Sequence, residues 1–217
     1  MVLPAIPVAL GVATLAGIGG IGYFTKKWWS SKRIAVLGGR GVGKTTFINY
    51  LETKKVESGF EQTDSESYPA LTVKIEGVTL RISSGYDVGG SSMQHGEWRK
   101  QVLESDIIFY ILDISRILKR DSDYIESTKS DIDAIKNEIR QRKNIQVFLI
   151  ASHIDKLKDD GYTAKKLEDK INKNQVIQIA MISFGGSDYC KVVTGSLKDT
   201  QSAETLMKKI LISYDKK

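Results

Sequence analysis

The sequence contains a single cysteine, Cys190, among its 217 residues. One cysteine excludes an intramolecular disulfide and fits a protein that stays in a reducing compartment. Internal repeats and low-complexity tracts are also missing, which excludes solenoid and array architectures. The length suffices for one good hydrophobic core but not for two full domains with linkers, so we expect one globular domain.

Little net charge remains once a short basic segment is left out of the count. The formal net charge is +6, and only +2 remains without the cluster Lys26, Lys27, Lys32 and Arg33. Such a small positive excess leaves no electrostatic footprint for nucleic acid on the rest of the chain. We therefore expect no nucleic-acid partner.

Charged residues are missing altogether between Val2 and Phe24. A helix over this stretch would slightly exceed the length that a hydrocarbon layer of about 30 Å requires. The basic cluster follows the stretch instead of preceding it, which is atypical of a signal peptide. We interpret the stretch as a retained transmembrane helix, with a signal peptide and a buried core helix as alternatives. The positive-inside tendency then leaves everything after the span in the cytosol.

The segment after this stretch is basic and aromatic. Trp28 and Trp29 suit the headgroup level, where amphipathic rings are half wet, and burial against the globular domain is the alternative. Small residues recurring every four positions, such as Ala9, Ala13 and Gly17, would permit weak self-association of the apolar helix. The predicted domains are a transmembrane anchor at 1–25, a juxtamembrane segment at 26–32 and a globular domain at 33–217.

Beyond Ser31, apolar strand runs alternate with longer segments of helical period, which is typical of a mostly parallel sheet with helices on both faces. The six predicted strands are Arg33–Leu37, Leu71–Ile75, Val78–Ser83, Ile107–Asp113, Ile145–Ala151 and Lys191–Thr194. The predicted helices are Lys44–Thr53, Ser92–Leu103, Ser122–Arg140, Thr163–Asn172 and Ser202–Ser213. The turn Glu76-Gly77 predicts one antiparallel hairpin. Gln175–Ile182 is also strand-like but has no evident place in this order.

The segment Gly38–Thr45 fits the pattern G-x-x-x-x-G-K-[ST], with an apolar strand before it and a helical segment after it. Its glycines let backbone N–H groups turn toward phosphates, Lys44 supplies positive charge to the β- and γ-phosphates, and the Thr45 hydroxyl can coordinate Mg²⁺. The fold class is therefore α/β, a P-loop NTPase. The residues expected to contact the nucleotide here are Gly38, Arg40, Gly41, Val42, Gly43, Lys44, Thr45 and Thr46.

A second motif, Asp87-Val88-Gly89-Gly90, ends the second strand of the predicted hairpin. Open α/β sheets gather ligands at the carboxyl ends of their strands, so Asp87 can hold Mg²⁺ through water. Gly90 can give its backbone N–H to the γ-phosphate without obstruction by a side chain.

These motifs resemble those of Ras-superfamily small GTPases, and the D-V-G-G form followed by Trp98-Arg99 is most similar to the Arf and Sar branch. The resemblance covers Arg33 to about Tyr214. The apolar stretch ahead of it resembles the layout of the β subunit of the signal-recognition-particle receptor. The resemblance implies a switch that binds GTP or GDP with Mg²⁺ at a membrane. Its implied partners are a protein effector or complex subunit and a GTPase-activating or exchange factor.

In this family a further motif reads guanine, and here it stands as Ser152-His153-Ile154-Asp155. The resemblance implies that Asp155 accepts hydrogen bonds from the guanine N1–H and 2-amino groups, which adenine does not offer. Ser152 would supply only part of the bonding of an amide, and His153 could stack on the base. A later loop, at Ser196 and Leu197, is similar to the family loop whose backbone meets the base.

The family also places a threonine that binds Mg²⁺ between the first helix and the hairpin. Thr63 is the candidate, with Ser65 and Ser67 as alternatives. The predicted metal ligands are thus Thr45, Thr63 and Asp87.

The chain departs from the family pattern where hydrolysis is concerned. Ser91 stands where these enzymes place a glutamine that orients the attacking water. Gln94 and His95 could substitute if the loop is remodelled, or they could be solvated loop residues. Arg40 could stabilise charge on the γ-phosphate, crowd the water or point to solvent. The catalytic candidates are Lys44, Arg40, Gln94 and His95, hydrolysis is expected to be slow or partner-assisted, and the alternative is a non-hydrolysing scaffold that assembles a membrane complex.

Overall fold

The computed structural model describes residues 29, 32–56, 66–75, 78–87, 92–140, 142, 145–158 and 161–213. The strands are β1 Arg33–Gly38, β2 Glu66–Tyr68, β3 Leu71–Ile75, β4 Val78–Ile82, β5 Gly85–Asp87, β6 Ile107–Asp113, β7 Gln146–Ser152 and β8 Cys190–Thr194. The helices are α1 Lys44–Thr53, α2 Ser92–Glu104, α3 Ile114–Leu118, α4 Ser122–Ile139, α5 Asp155–Lys158, α6 Ala164–Asn172, α7 Gln175–Ser183 and α8 Thr200–Ser213.

Six strands form the main sheet in the order β3-β4-β1-β6-β7-β8. All neighbouring pairs are parallel except the antiparallel pair of β3 and β4. Every residue of β6 and β7 is buried, because these central strands are covered on both faces. The predicted α/β fold, with a mostly parallel six-stranded sheet and one hairpin, is confirmed.

Helices cover both faces of the sheet. Phe47 of α1 packs edge-on against Phe109, whereas Trp98 of α2 packs edge-on against Tyr110. Phe109 and Tyr110 are consecutive in β6 and therefore point to opposite faces. The helices α1 and α2 thus bury the two faces of the same strand.

The side chain of Trp29 is fully buried in this core. Its ring centroid lies 6.1 Å from that of Phe109 and 5.3 Å from that of Phe148, on the face that α1 covers. The expectation that Trp29 sits among lipid headgroups is therefore wrong, and burial against the globular domain is the correct alternative. A large aromatic ring gains more from complete burial between two phenylalanines than from a half-wet interface.

The apolar stretch predicted to span a membrane, residues 2–24, lies outside the described residues. Across the ranges that the structure does describe, no helix combines the length and the apolar character that a membrane crossing needs.

The hairpin extends beyond β3 and β4, the two strands that it contributes to the main sheet. β2 and β5 form a separate two-stranded ladder in which Tyr68 faces Gly85, and three residues further along Leu71 faces Ile82. The register is therefore continuous across the interruption. Pro69 has no N–H for the ladder, and the N–H of Ser83 instead donates to the Ile34 carbonyl of β1 at 2.8 Å. Asp87 accordingly ends the continuation of the second hairpin strand.

One segment with a strand-like sequence is a helix in the structure. The strand-like segment at Gln175–Ile182 is the helix α7, because the Asn174 side chain accepts a hydrogen bond from the Val176 N–H at 2.9 Å and caps it. Its apolar residues suit a helix packed between α4 and β8 as well as they suit a strand. The short helices α3 and α5 were not predicted.

Burial of Trp29 predicts a large loss of stability in the W29A variant. Removing this ring from the core should lower the free energy of unfolding by about 3–5 kcal/mol. Urea denaturation of the full chain in mild detergent, followed by circular dichroism, measures the change. W29F should lose clearly less, and Y189A, which trims a partly exposed ring, should lose less than about 1 kcal/mol. An unchanged midpoint in W29A would contradict the burial.

Candidate nucleotide-binding site

The loop between β1 and α1 is built on glycines that no other residue could replace without strain. Gly41 and Gly43 have φ values of 72° and 95°, in the left-handed region. A Cβ on Gly43 would lie 2.9 Å from Cδ1 of Leu197, and one on Gly38 would lie 2.3 Å from the Ile111 carbonyl oxygen. Backbone geometry and close packing therefore both require this glycine pattern, and the packing brings Leu197 against the phosphate loop.

Lys44 begins α1 with its side chain buried. Its Nζ donates to the Gly39 carbonyl at 2.8 Å, which holds the ammonium inside the curve of the loop. The first turn of α1 adds backbone N–H groups and the positive end of the helix dipole. Thr45 and Thr46 lie in the same turn and are half-buried, whereas Arg40 is exposed at the tip of the loop.

A buried carboxylate lies beside this loop. Asp131 of α4 accepts a hydrogen bond from the Tyr110 hydroxyl at 3.2 Å, and its Oδ2 would be 3.8 Å from a Cβ on Gly39. Burial, together with the nearby charge of Asp131, raises the pKa of Tyr110 well above its ordinary value. Sequence analysis missed this residue, because a lone aspartate on an amphipathic helix gives no signal of its own.

The two segments predicted to bind the base are brought together. Asp155 begins α5, and its Oδ1 accepts a hydrogen bond of 2.5 Å from the buried Ser196 hydroxyl. The backbones meet as well, because the Gly195 N–H donates to the Ala151 carbonyl at 3.1 Å and the Ile154 N–H donates to the Gly195 carbonyl at 3.4 Å. The carboxylate expected to recognise guanine is therefore held in place from the second loop.

Ser152 joins the base-binding segment to the phosphate loop. Its side chain is fully buried at the end of β7, with Oγ 3.0 Å from the Val42 carbonyl oxygen and 2.9 Å from the Leu112 carbonyl oxygen. Oγ also lies 2.8 Å from Nδ1 of His153. A small hydroxyl at this position therefore links three segments of the chain.

Asp113, at the end of β6, is a site residue that the sequence analysis did not name. Its Oδ1 accepts hydrogen bonds from the Ser115 N–H at 2.9 Å and the Ser115 hydroxyl at 2.6 Å, which caps α3. Its Oδ2 faces Lys156 Nζ at 3.3 Å and His153 Nδ1 at 3.7 Å. Burial alone would raise the pKa of Asp113, but the Ser115 hydrogen bonds, the charge of His153 when acid protonates it and the charge of Lys156 hold that pKa below its ordinary value. An aspartate after an apolar strand, with a serine two residues later, is the cap pattern that would have revealed it.

His153 adopts a left-handed backbone conformation with φ of 62°. Its side chain is mostly buried, and burial lowers the pKa of its imidazole although the charge of Asp113 acts in the opposite direction. The ring is consequently neutral near pH 7. Its contacts with Ser152 and Asp113 place it within the base-binding segment, and its predicted stacking on the base stays a prediction.

Several predicted site residues lie outside the described part of the chain. These are Thr63, Gly90 and the alternative Ser65, together with Ser91 and the side chains of Ser67, Asp87, Gln94 and His95. The backbone of Asp87 closes β5, and Gln94 and His95 fall within α2. Their predicted roles toward Mg²⁺ and the attacking water stay predictions.

A family model described as the ADP-ribosylation factor family matches residues 22–209 of this chain. No curated protein matches the chain significantly. The matched range contains the phosphate loop, Asp113 and both base-binding segments.

The neutral, buried His153 predicts a stability that falls as the medium is acidified below neutrality. Because the pKa of His153 is lower in the folded chain than in the unfolded one, the unfolded chain takes up the proton first as the pH drops below about 6.5. The stabilisation is therefore complete above that pH and is lost toward the folded-state pKa. The depressed pKa of Asp113 acts in a separate window, below about pH 4.

Urea unfolding of the nucleotide-free chain between pH 7.5 and 5 measures this slope. H153Q should flatten it, whereas H95Q, which removes the only other histidine, serves as the matched control. Equal slopes in wild type and H153Q would refute the assignment.

Proposed function

This chain belongs to the ADP-ribosylation factor family, and from that premise we propose that it is a membrane-anchored GTP-binding switch with slow or partner-assisted hydrolysis. GTP binding is what the family implies, and the anchor and the hydrolysis rate are the parts that the proposal adds. The observation that carries it is the Asp155–Ser196 pair, held next to a phosphate loop that Ser152 ties to the same segment.

The residues present fit a guanine nucleotide. The left-handed backbone at Gly41 and Gly43 suits a loop whose N–H groups turn toward phosphates, and Lys44 supplies a buried positive charge there. Asp155 offers a carboxylate to the two N–H donors on guanine, and its Oδ2 is not engaged by the Ser196 hydroxyl. Bound Mg²⁺ would neutralise phosphate charge, with the Thr45 hydroxyl in the first turn of α1 as a ligand and Thr63 and Asp87 as the proposed others.

The anchor is proposed from the sequence of residues 2–24 and from where the chain enters the domain. Trp29 is packed in the core, so few residues separate the apolar stretch from the folded domain. We propose a single-pass membrane protein with the nucleotide-binding domain in the cytosol. Its output would be recruitment of a protein effector or complex subunit, controlled by changes around residues 54–70 and 88–96 when the γ-phosphate is lost.

Two variants test the nucleotide site. K44A should abolish binding of GTP, because the buried ammonium that faces the phosphates is lost. D155N should lower GTP affinity about 100-fold, since an amide cannot accept from both guanine N–H groups, and it should raise affinity for xanthosine triphosphate, whose 2-oxo group accepts from the amide.

Affinities of purified full chain for fluorescent nucleotides give the readout, and K119A, at an exposed lysine beyond α3, is the matched control. Nucleotide retained through purification should be GTP or GDP. Unchanged GTP affinity in both K44A and D155N would remove the site assignment.

The hydrolysis rate tests the second part of the proposal. With Ser91 in place of a water-orienting glutamine, single-turnover hydrolysis should be slower than the roughly 4 × 10⁻⁴ s⁻¹ of an unassisted Ras-type enzyme. S91Q should raise the rate. R40A should lower it if the exposed guanidinium reaches the γ-phosphate and raise it if the guanidinium crowds the water.

A wild-type rate equal to or above the Ras-type value would contradict slow hydrolysis. GTP that stays intact in the wild type, in S91Q and in the presence of membranes would favour the non-hydrolysing scaffold instead.

A further inference from the structure

A groove lies at the end of the domain opposite the nucleotide site. Its volume is about 580 Å³, and its lining residues include Lys136, Arg140, Arg142, Ile145, Ile182 and Tyr189. Ile145 precedes β7 and Tyr189 precedes β8, so the groove flanks the amino ends of these parallel strands. The nucleotide loops follow the carboxyl ends of the same strands. Seven residues of strand separate the two ends of β7, which is about 23 Å.

The groove is positively charged. Three of its lining residues are cationic, and none of the lining residues is acidic. Arg142 is fixed by donating from Nη1 to the carbonyls of Val102 at 3.0 Å and Leu103 at 2.8 Å, and it also bonds the Ser105 carbonyl. Lys136 has a partly exposed partner, Asp133, at 3.6 Å, and Arg140 is exposed. The cluster therefore presents cations to any ligand in the groove.

Exposed apolar residues gather around the same groove. Within the described ranges the exposed large apolar residues are Leu103, Ile182 and Tyr189, with exposed fractions of 38%, 69% and 43%. Ile182 and Tyr189 line the groove, and the Leu103 carbonyl is bonded to Arg142. Aliphatic and tyrosine side chains mixed with Lys and Arg are typical of surfaces that lie at a membrane interface.

The chain enters the domain at this end. β1 begins at Arg33, whose N–H donates to the Asp106 carboxylate at 3.0 Å, and the Gln146 N–H donates to the Asp106 carbonyl at 3.2 Å. A short series of hydrogen bonds thus connects the amino end of β1 to the part of the groove that contains Arg142 and Ile145. Arg142 itself bonds Ser105, the residue before Asp106.

The length of the connection restricts how far this end can be from a bilayer. Phe24 ends the apolar stretch and Trp29 is already buried in the core. Five residue steps reach at most about 18 Å when fully extended. A domain anchored through residues 2–24 is therefore held with its β1 entry close to the headgroups, and the nucleotide site on the opposite edge points away.

We propose that this groove is a docking surface for the anionic headgroups of the membrane in which the chain is anchored. The inference rests on the proposed anchor and adds the contact that orients the domain on the bilayer. The cations of the groove pair with lipid phosphates and carboxylates, while Ile182 and Tyr189 enter the interfacial region. The nucleotide loops consequently face the cytosol.

Full chain in lipid nanodiscs tests the orientation. Cys190 is buried and its thiol pKa is raised to about 12 by burial, so a fluorophore can be attached selectively to an introduced cysteine. I182C places the probe at the groove, and K119C places the matched probe at the nucleotide end. Spin-labelled headgroups quench a probe that lies at the membrane surface.

The expected result is strong quenching at position 182 and little at position 119 in discs with phosphatidylserine, and weaker quenching at 182 in purely zwitterionic discs. Reversal of two cations in K136E/R140E should reduce the docked fraction at least about fivefold. K165E, at an exposed lysine of α6, is the charge-reversal control. Arg142 is left unchanged because it holds the end of α2.

Three outcomes overturn the inference, and they are distinguishable. If the chain inserts and resists alkaline extraction but the two probes are quenched equally, the docking surface is wrong and the anchor stands. If the chain is removed by alkaline extraction, the proposed anchor fails and the docking surface fails with it. Quenching at 182 that persists in K136E/R140E would also contradict the role of the groove cations.

Discussion

The parallel pairing of β1, β6, β7 and β8 is the constraint on which this molecule depends. Parallel strands in register end at a common edge, so the loops that follow them meet regardless of how far apart they are in sequence. Gly38, Asp113, Ser152 and Thr194 are the last residues of these four strands. The phosphate loop and both base-binding segments each follow one of these ends. The same pairing puts the amino ends, the entry of β1 and the basic groove at the other edge.

The sequence predicted the regular elements well because hydrophobic period and local caps agree there. The apolar runs of β6 and β7 are rich in β-branched and aromatic residues, which favours strands, and the period of the amphipathic α4 predicts a helix. The segment at Gln175 was ambiguous, because a short apolar run of this length suits a buried helix and a strand alike. The Asn174 cap decides between them, and its bond to the Val176 N–H becomes visible only in three dimensions.

Candidate site residues could be named where a motif carries its own chemistry and were missed where tertiary packing supplies it. Lys44, Asp155 and Ser196 could be named from sequence, and the last two are bonded to each other in the structure. Asp113 and Asp131 could not be named with the same ease. Asp113 belongs to the site because it faces Lys156, and Asp131 belongs to it because it lies beside the phosphate loop.

The burial of Trp29 bears both on the fold and on the proposed orientation of the domain relative to a membrane. A tryptophan after an apolar stretch is ambiguous in sequence, since the same ring suits lipid headgroups and a protein core. Its contacts with Phe109 and Phe148 resolve the ambiguity in favour of the core and shorten the connection that precedes the domain. If residues 2–24 anchor the chain as proposed, a short connection brings the face that surrounds the entry of β1 toward the bilayer.

The base-binding segment shows that an altered motif can keep its architecture with different residues. Ser152 has one hydroxyl hydrogen and two nearby carbonyls, so its hydroxyl donates to one of them. The hydroxyl oxygen of Ser152 can in turn accept a hydrogen bond from a neutral His153 that carries its proton on Nδ1. Lys156 supplies the cation beside Asp113 that a neutral His153 does not. The positions before Asp155 therefore hold the loops together, while the proposed selectivity for guanine depends on Asp155 itself. It follows that substitutions at the positions before this aspartate change the rigidity of the site more than they change which base the site selects.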